Sequence, residues 1–287
     1  MAWQPPPQQV YEYEIEQLVS EYKKAAVRLN SILIAADFDS MTAREQRRLL
    51  NEITTILREL DSAAGDWVDE NIPKAYRDGQ AAAVISIGEA STLIAAAELV
   101  SKNKLNRDFV AAMVADTMDD LLMMTRNTEV QIKRVVRQIV GEQLRANVIA
   151  NEGSKAIERS VRERLRKEIN RAANFAIRDR ANRIWSIEAY VDMVVRTKMM
   201  QAKLEGTINE AATRNVQYAT ISRHGSKHAS CRRWEGRIVR LSDDAPGSYP
   251  TLSEVRASGD IFHPNCKHQV FPVRDVSLLP ASYRRDN

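Results

Sequence analysis

The side chains best suited to metal or nucleophilic chemistry are confined to one stretch of this chain. All four histidines (His224, His228, His263, His268) and both cysteines (Cys231, Cys266) fall between positions 223 and 273, and neither type occurs earlier. His228 and Cys231 stand in H-x-x-C spacing, His263 and Cys266 repeat it, and Cys266 with His268 adds a C-x-H. Short pairs separated by a long loop are how small zinc modules are built, because each tight turn aims two donors at one point. His228, Cys231, His263, Cys266 and His268 are therefore candidate ligands for Zn2+, although the spacing matches no standard finger and, with His224, six side chains compete for four places. Two other readings stay open. The histidines can be hydrogen-bonded to backbone or carboxylates with the cysteines packed as small apolar groups, or Cys231 and Cys266 can form a disulfide. A module of about 50 residues is near the size at which a metal compensates for a thin core.

Catalysis by the same residues is the alternative. The run from His263 through Asn265 to His268 faintly resembles the metal-binding part of an HNH nuclease, which needs a helix after the Asn to place its last His. A Cys–His nucleophile pair is also conceivable chemistry. No general base, oxyanion donor or substrate pocket can be named, so no catalytic residue is assigned.

A second feature is charge. Residues 155–183 hold ten basic side chains against four acidic ones, a local surplus of +6 in a chain whose net charge is only +4. One reading is a solvated helix face laced with i,i+4 pairs such as Glu163 with Lys167. The other is a face that meets nucleic-acid phosphate or an acidic protein surface, with Arg159, Arg162, Arg166, Lys167 and Arg171 as its contacts. No aromatics are interleaved for base stacking, so such contact would be blind to sequence. The small global charge does not itself demand a nucleic-acid partner.

The elements that must position these groups are mainly helical. The 287 residues are 44% hydrophobic and 28% charged, with few glycines and aromatics, and strong helix formers dominate the first three quarters. Three consecutive prolines make residues 1–10 an extended, mobile arm. No secretory signal is expected there, and two cysteines in a chain this long make no disulfide framework, so synthesis in a reducing cytoplasm is the default. Apolar spacing of three and four predicts a helix over 11–36, and Thr42 with Glu45 has capping-box spacing at the head of the next. These two should form an antiparallel hairpin. A shorter helix after Gly65 is expected to kink or restart at Pro73. Residues 81–100 read as one tightly packed helix, with no bilayer span expected because Glu89 and Glu98 interrupt it. Asn106 looks like the cap of a long helix through Leu144, and Ser186 caps another to about 212. The period then changes to that of strands over 217–222, 237–241 and 269–271, the last stopping at Pro272. The fold class is thus mainly α: an elongated helical body of hairpins and long helices over 11–215, a small α+β module with a few short strands over 216–273, and a loose tail over 274–287.

Several residues of the module stand in a recognisable order. Arg196 and Thr197 precede a helix; then come Ile221 to Gly225, His228, Trp234 to Ile238, Tyr249 to Leu252, and His263 to His268. The order resembles the C-terminal signature of tailed-phage minor capsid proteins, the Mu-like head morphogenesis family, over about 190–273. Lys267 stands where that family usually has Arg, and the helix-to-strand junction lacks the usual glycine beside Val216. The resemblance implies a structural virion protein associated with the portal vertex inside the phage head, present in the host cytoplasm during assembly. Its implied partners are the portal protein, the major capsid or scaffolding protein, and DNA bound without sequence preference, with no membrane in the assembled particle. The competing class is a metal-dependent hydrolase or nuclease packaged for ejection.

Overall fold

A computed structural model describes residues 3, 5–38, 40–150, 176–178 and 184–283. The chain is mainly helical, with a small antiparallel sheet near its C-terminal end. The helices are α1 (Glu12–Ala35), α2 (Ala43–Ser86), α3 (Leu93–Leu99), α4 (Lys104–Ala150) and α5 (Ile187–Thr213), followed by two short ones, α6 (Ala229–Arg232) and α7 (Leu252–Ala257). Strands β1 (Ala176–Arg178) and β2 (Ile184–Ser186) form a two-stranded ribbon, and β3 (Tyr218–Ile221), β4 (Ile238–Arg240) and β5 (Val270–Val273) form a three-stranded sheet in the order β4-β3-β5. Two compact units interleave in sequence. One takes Met1–Glu12, Val68–Thr117 and Met193–Asn287; the other takes Tyr13–Trp67 and Met118–Asp192.

In the second unit, α1 buries Ile15, Leu18, Val19, Tyr22, Leu29 and Leu33, the stripe its periodicity predicts. The capping box opens α2 as expected: the Glu45 amide donates to Thr42 Oγ1 at 3.2 Å, and the Thr42 amide donates back to Glu45 Oε2 at 2.7 Å. The basic positions Arg159, Arg162, Arg166, Lys167 and Arg171 lie outside the described residues. Just beyond them a helical reading fails, because residues 176–178 form β1, in register Ala176 to Ser186 with β2. On α4, Leu121, Met124, Ile132, Val136 and Ile139 are buried and Val130 is exposed.

Three further expectations about helices need correction. First, α2 runs unbroken through Gly65 and Pro73. Proline inside a helix costs about 3 kcal/mol in a lost hydrogen bond and a ring clash, but the turn around it is tightly packed, with Ile72 and Ala75 at 0% exposure and Tyr76 at 1%. Burial of that face outweighs the local preference. Second, the segment 81–100 is not one helix. It breaks at Gly88, whose φ of +81° is the left-handed conformation glycine adopts without strain. The amides of Gly88 and Glu89 close back on the carbonyls of Ile85 and Val84, a Schellman stop, and Thr92 caps α3 by accepting from the Ala95 amide. Third, the cap of α4 is Asn103, whose Oδ1 accepts from the Asn106 amide at 2.8 Å, while Asn106 is buried against Tyr76 Oη and the Ser101 carbonyl.

The first unit carries the sheet. Glycines make the crossing of α2 and α5 within it: a Cβ on Gly79 would fall 1.9 Å from the Lys203 carbonyl oxygen, and one on Gly206 would fall 2.1 Å from that of Tyr76. Helix α5, capped by Ser186 through the Ala189 amide as expected, ends on a second Schellman stop. Asn215 occupies its left-handed position with φ +56°, and the Asn215 and Val216 amides return to the carbonyls of Ala212 and Ala211. Asparagine therefore does here what a glycine beside Val216 would do.

Strand alternation then splits the sheet into two faces. Ala219, Ile221, Val239 and Val270 pack with Leu204 of α5, Cys231 of α6 and Leu252 and Val255 of α7. On the opposite face, Ile238 and Val273 pack with Leu279, Tyr249 and Trp3. Pro272, expected to stop the last strand, sits inside β5 opposite Ala219. This is tolerated because β5 is an edge strand, where a missing N–H breaks no ladder. Trp3, Val276, Leu279 and Tyr283 pack against the sheet rather than hanging loose. Leu279 is buried, and the Trp3 ring lies 5.2 Å from that of Tyr283 and 6.4 Å from that of Phe271.

Candidate metal centre

The His/Cys cluster is assembled from three short segments: the turn into α6, the loop after α7, and the entry to β5. Cys231 comes from α6, a single helical turn that His228 begins without a side-chain cap. His263 and Cys266 come from a tight loop in which the Cys266 amide donates to the His263 carbonyl at 2.9 Å. Both Phe262 and Asn265 adopt positive φ there, +60° and +63°. His268 enters two residues later, immediately before β5. Folding the sheet brings Cys231 and Cys266 into one apolar core, both as free, buried thiols.

One sulfur and one imidazole meet twice. Cys231 Sγ lies 3.0 Å from His263 Nε2, and Cys266 Sγ lies 3.3 Å from His268 Nδ1. The donor atoms of Cys231, Cys266 and His268 all fall within 4.8 Å of one another, and all three residues are buried. The other nitrogen of each imidazole is committed elsewhere. His263 Nδ1 is 2.9 Å from the Pro264 carbonyl oxygen, which only accepts, so Nδ1 carries the proton and Nε2 is the lone-pair nitrogen. His268 Nε2 is 3.0 Å from Glu235 Oε1, which leaves Nδ1 as its lone-pair nitrogen.

Glu235 organises this end of the cluster. The same Oε1 accepts from the Ser226 amide at 2.9 Å and the His224 amide at 3.1 Å. Burial pushes its carboxyl up, but the Ser226 amide, His268 and the His224 amide together outweigh that and hold it below the usual carboxylate range. Burial likewise pushes the Cys266 thiol up, against amide hydrogen bonds from His268 and Phe262 that favour the thiolate. The Phe262 amide donates to Cys266 Sγ at 3.3 Å.

Two of the expected participants stand apart. His228 is exposed, and its ring stands edge-on to that of His263 with centroids 6.1 Å apart. His224 is engaged with protein partners: Nε2 lies 2.8 Å from Ser222 Oγ and Nδ1 lies 3.1 Å from Gln8 Nε2. Its ring packs edge-on against His268 at 4.9 Å, and burial, with His268 second, holds its pKa below the usual histidine value. No role is assigned from sequence to Glu235 or to Ser222, whose buried hydroxyl also accepts from the Gln269 amide at 2.9 Å. A Glu next to a left-handed glycine, 33 positions from its histidine, offers no periodic signal; the W-E-G order was the one available pointer. The HNH resemblance lacks its essential element, since the chain after Asn265 runs directly into β5 with no helix to carry His268.

No described helix is long and apolar enough to cross a membrane. No curated protein and no solved structure shows significant similarity to the chain. The family described as phage minor capsid protein 2 matches residues 36–282. That match takes in α2 to α7, the sheet and every His and Cys side chain of the cluster, and on it the chain belongs to the phage minor capsid protein 2 family.

Proposed function

We propose that this protein is a minor structural component inside the head of a tailed phage, seated at the portal vertex against the portal protein. The observation that carries the reading is the family match over residues 36–282, which makes the chain a structural phage capsid protein that meets other head proteins in the virion. The portal position is the finer step. Exposed apolar side chains support it: Val27 and Ile34 lie seven apart on α1, and Met123 and Val130 lie seven apart on α4, all more than half exposed. Spacing of seven keeps each pair on one helix face, the pattern of a helix that docks on another helical surface. The +6 surplus over residues 155–183 supports contact of Arg159, Arg162, Arg166, Lys167 and Arg171 with packaged DNA or an acidic wall of the head. The burial of Cys231, Cys266 and His268 favours a structural rather than catalytic duty for the cluster.

Co-expression with the portal protein and a side-chain-resolved particle reconstruction test this reading. The expected result is co-purification with portal, lost in a Val27→Glu/Ile34→Glu variant whose circular dichroism is unchanged. Density for the chain on the outer shell, away from the portal vertex, would refute it. Plasmid cleavage in Mg2+, Mn2+ or Zn2+ that disappears with His263→Ala or His268→Ala would replace it with the packaged-nuclease reading.

A further inference from the structure

We infer that Cys231 Sγ, Cys266 Sγ, His268 Nδ1 and His263 Nε2 are the four ligands of a structural zinc ion, with Glu235 as the residue that positions His268. The inference is independent of where in the virion the protein sits. It selects four ligands from six candidates and one nitrogen from each imidazole.

The first ground is tautomeric. A metal-bound imidazole almost always donates its other N–H to a carboxylate or a backbone carbonyl, which fixes the ring and raises its basicity. Both histidines satisfy this, one through the Glu235 carboxylate and one through the Pro264 carbonyl, and in both the freed lone pair points at a cysteine sulfur. His224 fails the test because its two nitrogens meet Ser222 Oγ and Gln8 Nε2 and not a cysteine sulfur, and His228 because it is exposed.

The second ground is distance. With Zn–S near 2.3 Å and Zn–N near 2.0–2.1 Å, the donors of a tetrahedral site stand about 3.3–3.8 Å apart. Three of the four donors are already mutually within 4.8 Å, and Cys266 Sγ to His268 Nδ1 is 3.3 Å. His263 is the outermost ligand, placed 3.0 Å from Cys231, only partly buried and outside the group of three, so it must turn toward them to close the site. A set of two thiolates and two imidazoles in tetrahedral reach suits zinc above the harder divalent ions. The Phe262 amide directed at Cys266 Sγ stabilises the thiolate form a metal requires. Binding replaces the two S–H protons, which pass to solvent, with two Zn–S bonds and leaves both imidazoles neutral.

The test uses the full-length chain purified without chelator. Elemental analysis should find about one zinc per chain. Exchange into Co2+ should produce a thiolate-to-metal charge-transfer band whose intensity corresponds to two thiolates, together with tetrahedral visible bands. His228→Ala should keep its full zinc content, whereas Cys231→Ser, Cys266→Ser and His268→Gln should lose it. Glu235→Gln should weaken zinc in competition with a chelating dye by about 10- to 100-fold. Less than about half an equivalent of zinc, with both thiols free to react and no cobalt charge-transfer band, would overturn the assignment, as would a Cys231–Cys266 disulfide in the native protein. So would His228→Ala losing metal as completely as Cys231→Ser. Because the cobalt spectrum is read on the unmodified chain, the test stands even where a ligand variant does not fold.

Discussion

Replacing Lys203 by methionine should make this protein more stable, and the structure sets the size of the gain. Lys203 sits in the middle of α5 at 1% exposure, with its Nζ buried and without a hydrogen-bond partner. Its ammonium lies 6.0 Å from the centre of the Tyr11 ring, and Asp78 is the nearby charge that favours the protonated form. Burial dominates, and brings the pKa down from 10.5 to about 8. Between pH 8 and pH 10.5 the unfolded chain keeps a proton on this amine that the folded chain has released. Raising the pH across that window therefore favours the folded state, and below about pH 8 both states hold the proton and the full penalty stands. At 1.36 kcal/mol for each pH unit between the two values, the penalty is about 3 kcal/mol at pH 7, about 2 kcal/mol at pH 9 and near zero above about pH 11.

Methionine keeps an unbranched stem of similar length without the charge. Urea unfolding of the intact chain, followed by tryptophan fluorescence, should show Lys203→Met more stable by about 3 kcal/mol at pH 7 and by about 1 kcal/mol less at pH 9. Part of the gain is offset at Asp78, which loses a neighbouring cation while keeping the Tyr11 hydroxyl at 3.1 Å. The Lys203→Met/Asp78→Asn double variant isolates that loss. A variant less stable than the parent at pH 7 in both backgrounds, or a stability difference that does not shrink between pH 7 and pH 9, would refute the reasoning.

Other consequences follow from local packing. Gly206→Ala should cost about 3 kcal/mol or more, because its Cβ meets the Tyr76 backbone 2.1 Å away, while Gly141→Ala, with nothing within 4 Å, should be neutral or gain up to about 1 kcal/mol; thermal unfolding of the pair separates them. Glu210, at 0% exposure, receives Gln80 Nε2, the Ser101 amide and hydroxyl and Arg214 Nε, so Glu210→Leu should cost about 3–5 kcal/mol in urea unfolding by stripping the Ser101 amide and hydroxyl and Arg214 Nε of this acceptor, while Gln80 Nε2 keeps the Ser101 carbonyl. Trp3→Ala should cost about 1–2 kcal/mol and speed amide exchange over residues 274–283, since Trp3 covers Tyr283 and Phe271 on the outer face of the sheet.

How much of this was legible in the sequence depended on whether the signal was local. The stripe on α1, the Thr42–Glu45 box and the Ser186 cap are each written within a few residues, and each holds. Pro73 misled because its penalty is local whereas the burial of Ile72, Ala75 and Tyr76 that overrides it comes from residues far along the chain. Gly88 misled in the opposite direction: its neighbours are good helix formers, and only the positive φ ends α2. Pro272 read as a terminator because edge and central strands look alike until the sheet order is known. Trp3 read as part of a loose arm because its partners, Phe271 and Tyr283, lie at the other end of the chain.

The cluster itself divides along the same line. Residue type with H-x-x-C and C-x-H spacing was enough to nominate Cys231, His263, Cys266 and His268, since a tight turn fixes which side chains share a side. They do not distinguish His228, which has the same spacing to Cys231 that His263 has to Cys266 but is exposed in the structure. What separates the two pairs is the direction of the turn. His228 opens the single turn of α6 from its exposed side, whereas the His263–Cys266 loop folds inward through two left-handed residues, Phe262 and Asn265, that carry no glycine to announce them. The partner that aligns His268 is equally hidden, because Glu235 reaches it across the sheet connection and not along the chain. A donor set can thus be proposed from spacing, but its lone-pair nitrogens are chosen by hydrogen bonds that exist only after β3, β4 and β5 have paired.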